Sequence, residues 1–457
     1  MIKNRLFIIK TLGCKVNQFE SETLAHQFNL AGLEMPDQSG ETGSDGVDLC
    51  IVNTCTVTHK AAMQSRQAIR QAIRANPNAT VVVTGCLAQT DADNIRKIKG
   101  VDHVVGHSDK QRIPHILRGS HQLDLKPPVI PSGLKTPLIS SPPPASLGPR
   151  TRPFLKIQDG CNAFCTYCIV PLARGRQRSM PFENVVTSLE LIKAAGYHEA
   201  VLTGIHLGSY GRDLRPQITL AQLLAHLHQR QTIDRTRLSS IEPLEITKEL
   251  ILIISKASDR PGHICRHIHV PLQSGDDTVL NRMGRPYDRH QFIESIKAIH
   301  QSLPHAAIGV DVMLGFPGEN AKAYQNTRDI IDELPIAYLH VFPFSARTGT
   351  PASQYADKVP VDIIKKRSQE IRVLGHEKRQ AFFNKHLDTE AEILVETTPD
   401  ATTGLLKGVT SNYIKVLVKN EPCIKNTFQR VRLEGIHDAQ TMRGRIIKYT
   451  SALDVRC

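Results

Sequence analysis

Short apolar runs, each closed by a turn residue and followed by an amphipathic stretch, recur along the first quarter of the chain. "RLFIIKTLG", "VDLCIVNT" and "ATVVVTG" read as buried strands. "SETLAHQFNLAG" and "HKAAMQSRQAIRQAIRAN" carry the helical period between them, and Asn76-Pro77 ends the second. Apolar strands alternating with helices predict a parallel sheet covered on both faces, here of a flavodoxin-like α/β kind. After residue 150 the alternation resumes with six strands: "PFLKIQDG", "EAVLTGIHLG", "RLSSIEP", "HIHVPLQSG", "IGVDVMLGFPG" and "AYLHVFPFS". Nearly all end in Gly, Pro, Ser or polar residues, which predicts a partial (βα)6 barrel working at the C-terminal ends of its strands. The last stretch differs. "AEILVE", "GLLKGVTSNYIKVLVK", "FQRVRLEGI" and "TMRGRIIKY" predict a small all-β barrel of OB-like size. "PPVIPSGLKTPLISSPPPASLGP" has no period and reads as a semi-stiff linker. The expected division is therefore 1–118, a linker at 119–150, the barrel at 151–386 and the β-barrel at 387–457.

Composition narrows the class. The 457 residues are 40% hydrophobic, enough for several cores, yet the longest apolar runs are too short to span a bilayer. Lys10 interrupts the first run before it could form a signal-peptide core, so a cytoplasmic protein without a membrane partner is expected. Ten cysteines in such a chain point to metal or redox chemistry rather than a disulfide framework. A net charge of +13 suits a polyanionic partner such as RNA. The excess lies mostly in 151–386, and the tail is close to neutral.

The cysteines carry the chemistry. Cys161, Cys165 and Cys168 stand in "DGCNAFCTYC", a C-x3-C-x2-C spacing directly after a predicted strand. Structural zinc wants four closed ligands, commonly in C-x2-C pairs, and no fourth Cys or His follows nearby. Thiolates at such close spacing suit an iron–sulfur cluster, and three on a four-iron cluster leave one iron open. Zinc or inert thiols are the weaker alternative. Cys14, Cys55 and Cys86 each sit just past the end of a predicted strand, and in an open parallel sheet those ends converge on one edge. They can therefore meet as one site, against the alternative of three unrelated buried thiols. Cys50 lies five residues before Cys55 on the same strand, on the opposite face, and reads as core. Cys265, Cys423 and Cys457 have no partner pattern.

C-x3-C-x2-C with Tyr167 before the last cysteine resembles the radical S-adenosylmethionine (SAM) enzymes. That resemblance implies a 4Fe-4S cluster whose open iron binds SAM, and cleavage of SAM to a 5′-deoxyadenosyl radical. Other strand ends are similar to the family's SAM pocket: Thr203, Gly204 and Gly208, then Ser240 and Glu242, Gln273 and Ser274, and Asp311 and Gly315. The glycines would let a ligand approach the backbone. "TLGCKVNQFESE", "VNTCTVT", "TGCLAQ", "GCNAFCTYCIVPLARGRQRS", "PLQSGDDTVLNRMGR" and "GFPGE" together resemble the methylthiotransferases of that superfamily, over essentially the full length. The resemblance implies a second, auxiliary 4Fe-4S cluster on Cys14, Cys55 and Cys86 and a TRAM domain for the tail. It also implies conversion of a C–H bond into C–S–CH3, with SAM as both methyl donor and radical source. A tRNA substrate, a flavodoxin- or ferredoxin-like low-potential electron donor and a monomeric state go with it. "GCKVNQFESE" resembles the branch acting on N6-threonylcarbamoyladenosine beside the anticodon. Branches acting on isopentenyladenosine or on a ribosomal protein are the alternatives, and a non-enzymatic iron–sulfur RNA-binding protein is a distant third.

Candidate RNA contacts follow from charge. Arg66, Arg70 and Arg74 share one helical face, either a solvated stripe or a phosphate contact. Arg174, Arg176 and Arg178 follow the cluster cysteines closely and are expected to meet RNA or the SAM carboxylate. In the tail, Lys407, Lys415 and Lys419 could track phosphates, with Tyr413 and Phe428 as candidate stacking platforms.

Overall fold

The computed structural model describes residues 5–36, 46–119, 150–257 and 261–447, so nearly all of the expected linker, and Cys457, lie outside the described residues. The N-terminal block is a parallel sheet of β1 (Arg5–Thr11), β2 (Leu33–Glu34), β3 (Leu49–Thr54), β4 (Thr80–Gly85) and β5 (His103–Val104), in the order β2-β1-β3-β4-β5. That is the flavodoxin-like order, whose ligand crevice lies at the C-terminal strand ends where the order reverses, between β1 and β3. Every residue of β3 is buried, as a central strand covered on both faces requires. The helix His59–Ala75 starts at Thr58, whose hydroxyl accepts from the Ala61 N–H, and turns Ala62, Ala68, Ile69 and Ala72 inward. Cys50 is fully buried in that core.

The middle block contains all six expected strands and three short additional ones. They are β6 (Phe154–Lys156), β7 (Gln158–Asp159), β8 (Arg178–Ser179), β9 (Glu199–Thr203), β10 (Arg235–Leu238), β11 (His263–Ile264), β12 (His267–Gln273), β13 (Ala307–Leu314) and β14 (Tyr338–Pro343). The ring is split into two parallel sheets, β11-β10-β9-β6 and β12-β13-β14. One bond, from the Ile241 N–H to the His269 carbonyl at 2.9 Å, bridges the seam. The antiparallel pair β7-β8 folds across the cysteine loop. On β12 and β13, Ile268, Val270, Leu272, Ile308, Val310 and Val312 pack outward in the main core with the surrounding helices. The alternate positions, His267, His269, Asp311, Tyr338 and His340, therefore face the barrel lumen.

The helix Val361–Asn384 follows the barrel and packs along β14. The tail is a closed barrel of β15 (Glu390–Pro399), β16 (Leu406–Thr410), β17 (Lys415–Val418), β18 (Phe428–Asp438) and β19 (Thr441–Ile446), filled by Ile393, Val395, Leu406, Val416, Val431 and Met442. Two buried arginines join it to the middle block. Arg235 donates to the Val409 carbonyl at 3.0 Å, and Arg237 to those of Thr410 and Ser411 at 2.9 and 3.1 Å. Glu199 holds both guanidiniums. Arg235 lies over the Phe428 ring and Arg237 over Tyr413, which also stacks on His267 at 4.3 Å. This corrects the expectation for Tyr413 and Phe428: their faces are spent on docking the tail rather than offered to bases.

Candidate functional site

Cys55 lies within electrostatic reach of Cys14 and Cys86, and two glycines set the spacing of the loops that carry them. Gly13 takes a φ of +98°, and a Cβ there would lie 2.8 Å from the Cys55 sulfur. Gly85 takes a φ of +95°, and a Cβ there would strike the Thr54 carbonyl at 2.4 Å. Only glycine fits both the backbone and the space. Cys14 is exposed, whereas Cys55 and Cys86 are buried. Burial pushes the Cys55 thiol up to about 11 and raises that of Cys86. Asn17 ties the loops that carry Cys14 and Cys55, donating to the carbonyls of Leu12 at 2.8 Å and Thr54 at 3.0 Å.

Cys161, Cys165 and Cys168 lie on the loop between β7 and the helix Val170–Arg174. The Cys168 N–H bonds the Cys165 carbonyl at 2.9 Å, a tight turn that keeps the two thiols together. Burial pushes the Cys168 thiol up to about 12. Three N–H groups are aimed at the sulfurs: Ala163 N to Cys161 at 3.4 Å, Arg285 to Cys165 at 3.2 Å, and His206 Nδ1 beside Cys161 at 3.5 Å. His206, delivered by the end of β9, also pairs with Glu245 at 2.9 Å. Burial opposes its charge, but Cys161 and Glu245 raise its pKa to about 10. Three closely spaced soft thiols with N–H donors aimed at them suit an iron–sulfur cluster.

A cavity of about 350 Å3 opens beside these sulfurs, lined by Asn162, Gln177, His206, Glu242, Arg285 and Tyr287 among others. Glu242 pairs closely with Arg285; burial raises its carboxyl and Arg285 opposes the rise. Tyr167 is edge-on to Phe316, with its hydroxyl 3.4 Å from Arg285. Gln273 ends β12 at a φ of +62°, buried, with its amide oxygen unpaired among the described residues. Thr203, Gly204, Gly208, Ser240, Ser274, Asp311 and Gly315 do not line this cavity. Thr203 is buried, its carbonyl accepting from Ile157 N at 3.0 Å, and Ser240 is exposed. Ser274 accepts from the Asp276 N–H in a local turn. Gly204, Gly208 and Gly315 let the side chains of Gln158, Glu245 and Ile364 pack against the backbone. Asp311 belongs to a separate luminal group with His269 and His340.

Between the two cysteine sites runs a buried network of charges. Arg174 donates to Glu20 and Asp159, both at 2.9 Å, and to the Asn17 side-chain oxygen at 2.5 Å. Lys156 bridges the same two carboxylates at 2.8 and 3.0 Å. Lys110 adds a bond to Glu20, and His107 meets Asp159 at 3.1 Å. Burial opposes ionisation of Glu20 and Asp159, yet the surrounding cations hold both well below the usual carboxylate range. Arg174 is thus a correction: it is 3% exposed and spans from Asn17, three residues after Cys14, to Asp159, two before Cys161. Arg176 is exposed, and Arg178 is half-buried, donating to the Arg174 carbonyl at 3.0 Å. Arg70 and Arg74 are exposed, while Arg66 pairs with Asp91 at 2.5 Å. Lys415 and Lys419 are exposed, and Lys407 lies 3.8 Å from Asp400. Sequence reasoning missed Arg285, His206 and Glu20; Arg285 sits in "NRMGRP", where nothing local marks it.

Known proteins match this arrangement. The radical SAM superfamily model covers residues 155–331, and the model described as uncharacterized protein family UPF0004 covers residues 6–106. The radical SAM methyltransferase TsrM from Kitasatospora setae superposes with a TM-score of 0.54 at 15% identity, over 74% of this chain and 73% of that one. The cysteine loop at the mouth of a partial barrel is that of a radical SAM enzyme, a class that uses a 4Fe-4S cluster and SAM. The threonylcarbamoyladenosine tRNA methylthiotransferase MtaB of Bacillus subtilis is 38% identical over 90% of this chain and 89% of its own. MtaB of Thermotoga maritima is 34% identical over 90% of each. A tRNA-2-methylthio-N(6)-dimethylallyladenosine synthase of Clostridium botulinum is 31% identical over 88% of this chain and 89% of its own. The chain belongs to the radical SAM methylthiotransferase family and is a tRNA-modifying transferase. Among the described residues no helix is long and apolar enough to cross a membrane.

Proposed function

We propose that this enzyme methylthiolates C2 of N6-threonylcarbamoyladenosine beside the anticodon of tRNA. Cys161, Cys165 and Cys168 would hold the 4Fe-4S cluster that binds SAM, and Cys14, Cys55 and Cys86 an auxiliary 4Fe-4S cluster. The observation that carries this reading is the pairing of two three-cysteine sites across one buried ion network. When bound, the clusters supply reductive cleavage of SAM and a site for the sulfur to be transferred. The chain's own residues do the placing. Arg285 and His206 aim N–H groups at the cluster sulfurs, and Glu242 presents a carboxylate at the cavity wall for the amino group of SAM. The relatives named for dimethylallyladenosine support a second reading, with that nucleoside as substrate.

Mass spectrometry of tRNA nucleosides from a deletion strain tests the substrate. Loss of the methylthio-threonylcarbamoyl nucleoside is expected, and an unchanged level refutes the reading. Anaerobic reconstitution should give about eight irons per chain, four for each 4Fe-4S cluster. Alanine at Cys161, Cys165 or Cys168 should stop SAM cleavage. Alanine at Cys14, Cys55 or Cys86 should leave cleavage but stop methylthio transfer, with iron falling to about four.

A further inference from the structure

The barrel lumen holds a polar group that the chemistry above does not use. His340 on β14 lies directly opposite Asp311 on β13, and His269 on β12 is the diagonal neighbour. The Asp311 carboxylate meets His269 Nε2 at 2.8 Å and His340 Nδ1 at 3.2 Å. Beneath them the Tyr338 hydroxyl lies 3.0 Å from His269 Nδ1 and 2.7 Å from His267 Nε2, which fixes both rings. Burial opposes the Asp311 charge, but His269 and His340 hold its carboxyl below the ordinary range.

Three observations make this a ligand site rather than a sealed strut. β14 is the open edge of the barrel, and the His340 side chain is 60% exposed there, so the group faces a lateral mouth. Two residues further along the same strands, about 7 Å up, Met313 and Phe342 pack with Tyr167 of the cysteine loop. On the opposite side, Lys15, next in sequence to Cys14, lies within electrostatic reach of Tyr413, which stacks on His267. Packed side chains thus link the group to the cysteine loop through Tyr167 on one side and, through His267 and Tyr413, to Lys15 beside Cys14 on the other.

We infer that His269, Asp311 and His340 form the binding site for the N6 substituent of the target adenosine, and that it takes a polar, ureido- and carboxylate-bearing substituent in preference to an apolar one. This rests on the reading under Proposed function. A threonylcarbamoyl group offers N–H and hydroxyl donors to Asp311 Oδ2, and carbonyl and carboxylate acceptors to His340 Nε2, while His269, held on both nitrogens, orients the carboxylate. A dimethylallyl group offers neither. Seated here it would give nothing to Asp311 Oδ2 or His340 Nε2, the two polar atoms not spent within the group, and sites built to hydrogen-bond a substrate reject analogues that lack those groups far more strongly than apolar pockets do.

The test uses the reconstituted two-cluster enzyme and anticodon stem-loop RNAs carrying either N6-threonylcarbamoyladenosine or N6-dimethylallyladenosine. His340→Leu should raise KM for the threonylcarbamoyl RNA about tenfold or more. It should lower the kcat/KM preference for that RNA by a similar factor, and binding by fluorescence anisotropy should weaken in the same direction. His340→Asn, which keeps a donor, should recover part of the loss. Iron content and circular dichroism report folding, and the isosteric Asp311→Asn serves if His340→Leu loses iron. The inference is overturned if His340→Leu and Asp311→Asn both leave KM and the preference within about twofold of wild type. A wild-type enzyme that modifies only the dimethylallyl RNA refutes the proposed substrate itself; one that prefers the threonylcarbamoyl RNA while both variants keep that preference refutes only this site.

Discussion

Arg285 reaches the Cys165 sulfur and the Glu242 carboxylate from one guanidinium. A cation and an N–H donor at a cluster sulfur favour the reduced, more negative state of a 4Fe-4S centre. Arg285→Met should therefore make the potential of the radical SAM cluster more negative, read by EPR-monitored redox titration at unchanged iron content. An unmoved potential would mean that Arg285 serves Glu242 alone. Arg174 teaches the converse lesson. In "ARGRQR" three arginines alternate and read as one basic surface loop. Only the last two can serve a surface: the helix Val170–Arg174 packs on the helix Cys86–Thr90 and turns its last side chain inward. Alternation along a loop carries no burial information, whereas the cysteine spacings do, because each marks a strand end whose position the sheet order fixes.

At the scale of elements, the strands that were easiest to read are those covered on both faces, such as β3 and β4. β7, β8 and β11 are two residues each and carry no period. The luminal polar group did have a signal. "HIHVPLQ", "IGVDVML" and "YLHVFP" place polar residues at every second position, the mark of a strand with one wet face. Attention to the C-terminal ends of the strands alone passes over it. β9 and β10 also carry the tail's anchor. Burial opposes ionisation of Glu199, but Arg235 and Arg237 bring its carboxyl down to about 2. A carboxylate depressed on folding contributes stability that is full above its unfolded value, near 4.5, and is lost as pH falls toward 2. Wild type should lose stability over that window more steeply than Glu199→Gln, which strands two buried guanidiniums and should start about 3–5 kcal/mol less stable. Urea denaturation at pH 7 and across pH 5 to 3 checks both.

For the whole molecule, the decisive contact joins the N-terminal sheet to the barrel. Glu20→Ala would leave Lys110, Lys156 and Arg174 short of a buried partner, and should cost about 3–5 kcal/mol. Hydrogen exchange should speed up at residues 15–20 and 154–159 while the tail strands keep their protection. Equal acceleration everywhere would mean that the network serves global stability and not this joint. Opening the interface exposes or strands three cations and two carboxylates at once, so the gap between the two cysteine sites is a constant of the molecule. Whatever passes from one to the other has to cross that gap itself. On the proposed function, the travellers would be small: the target base and the groups it exchanges.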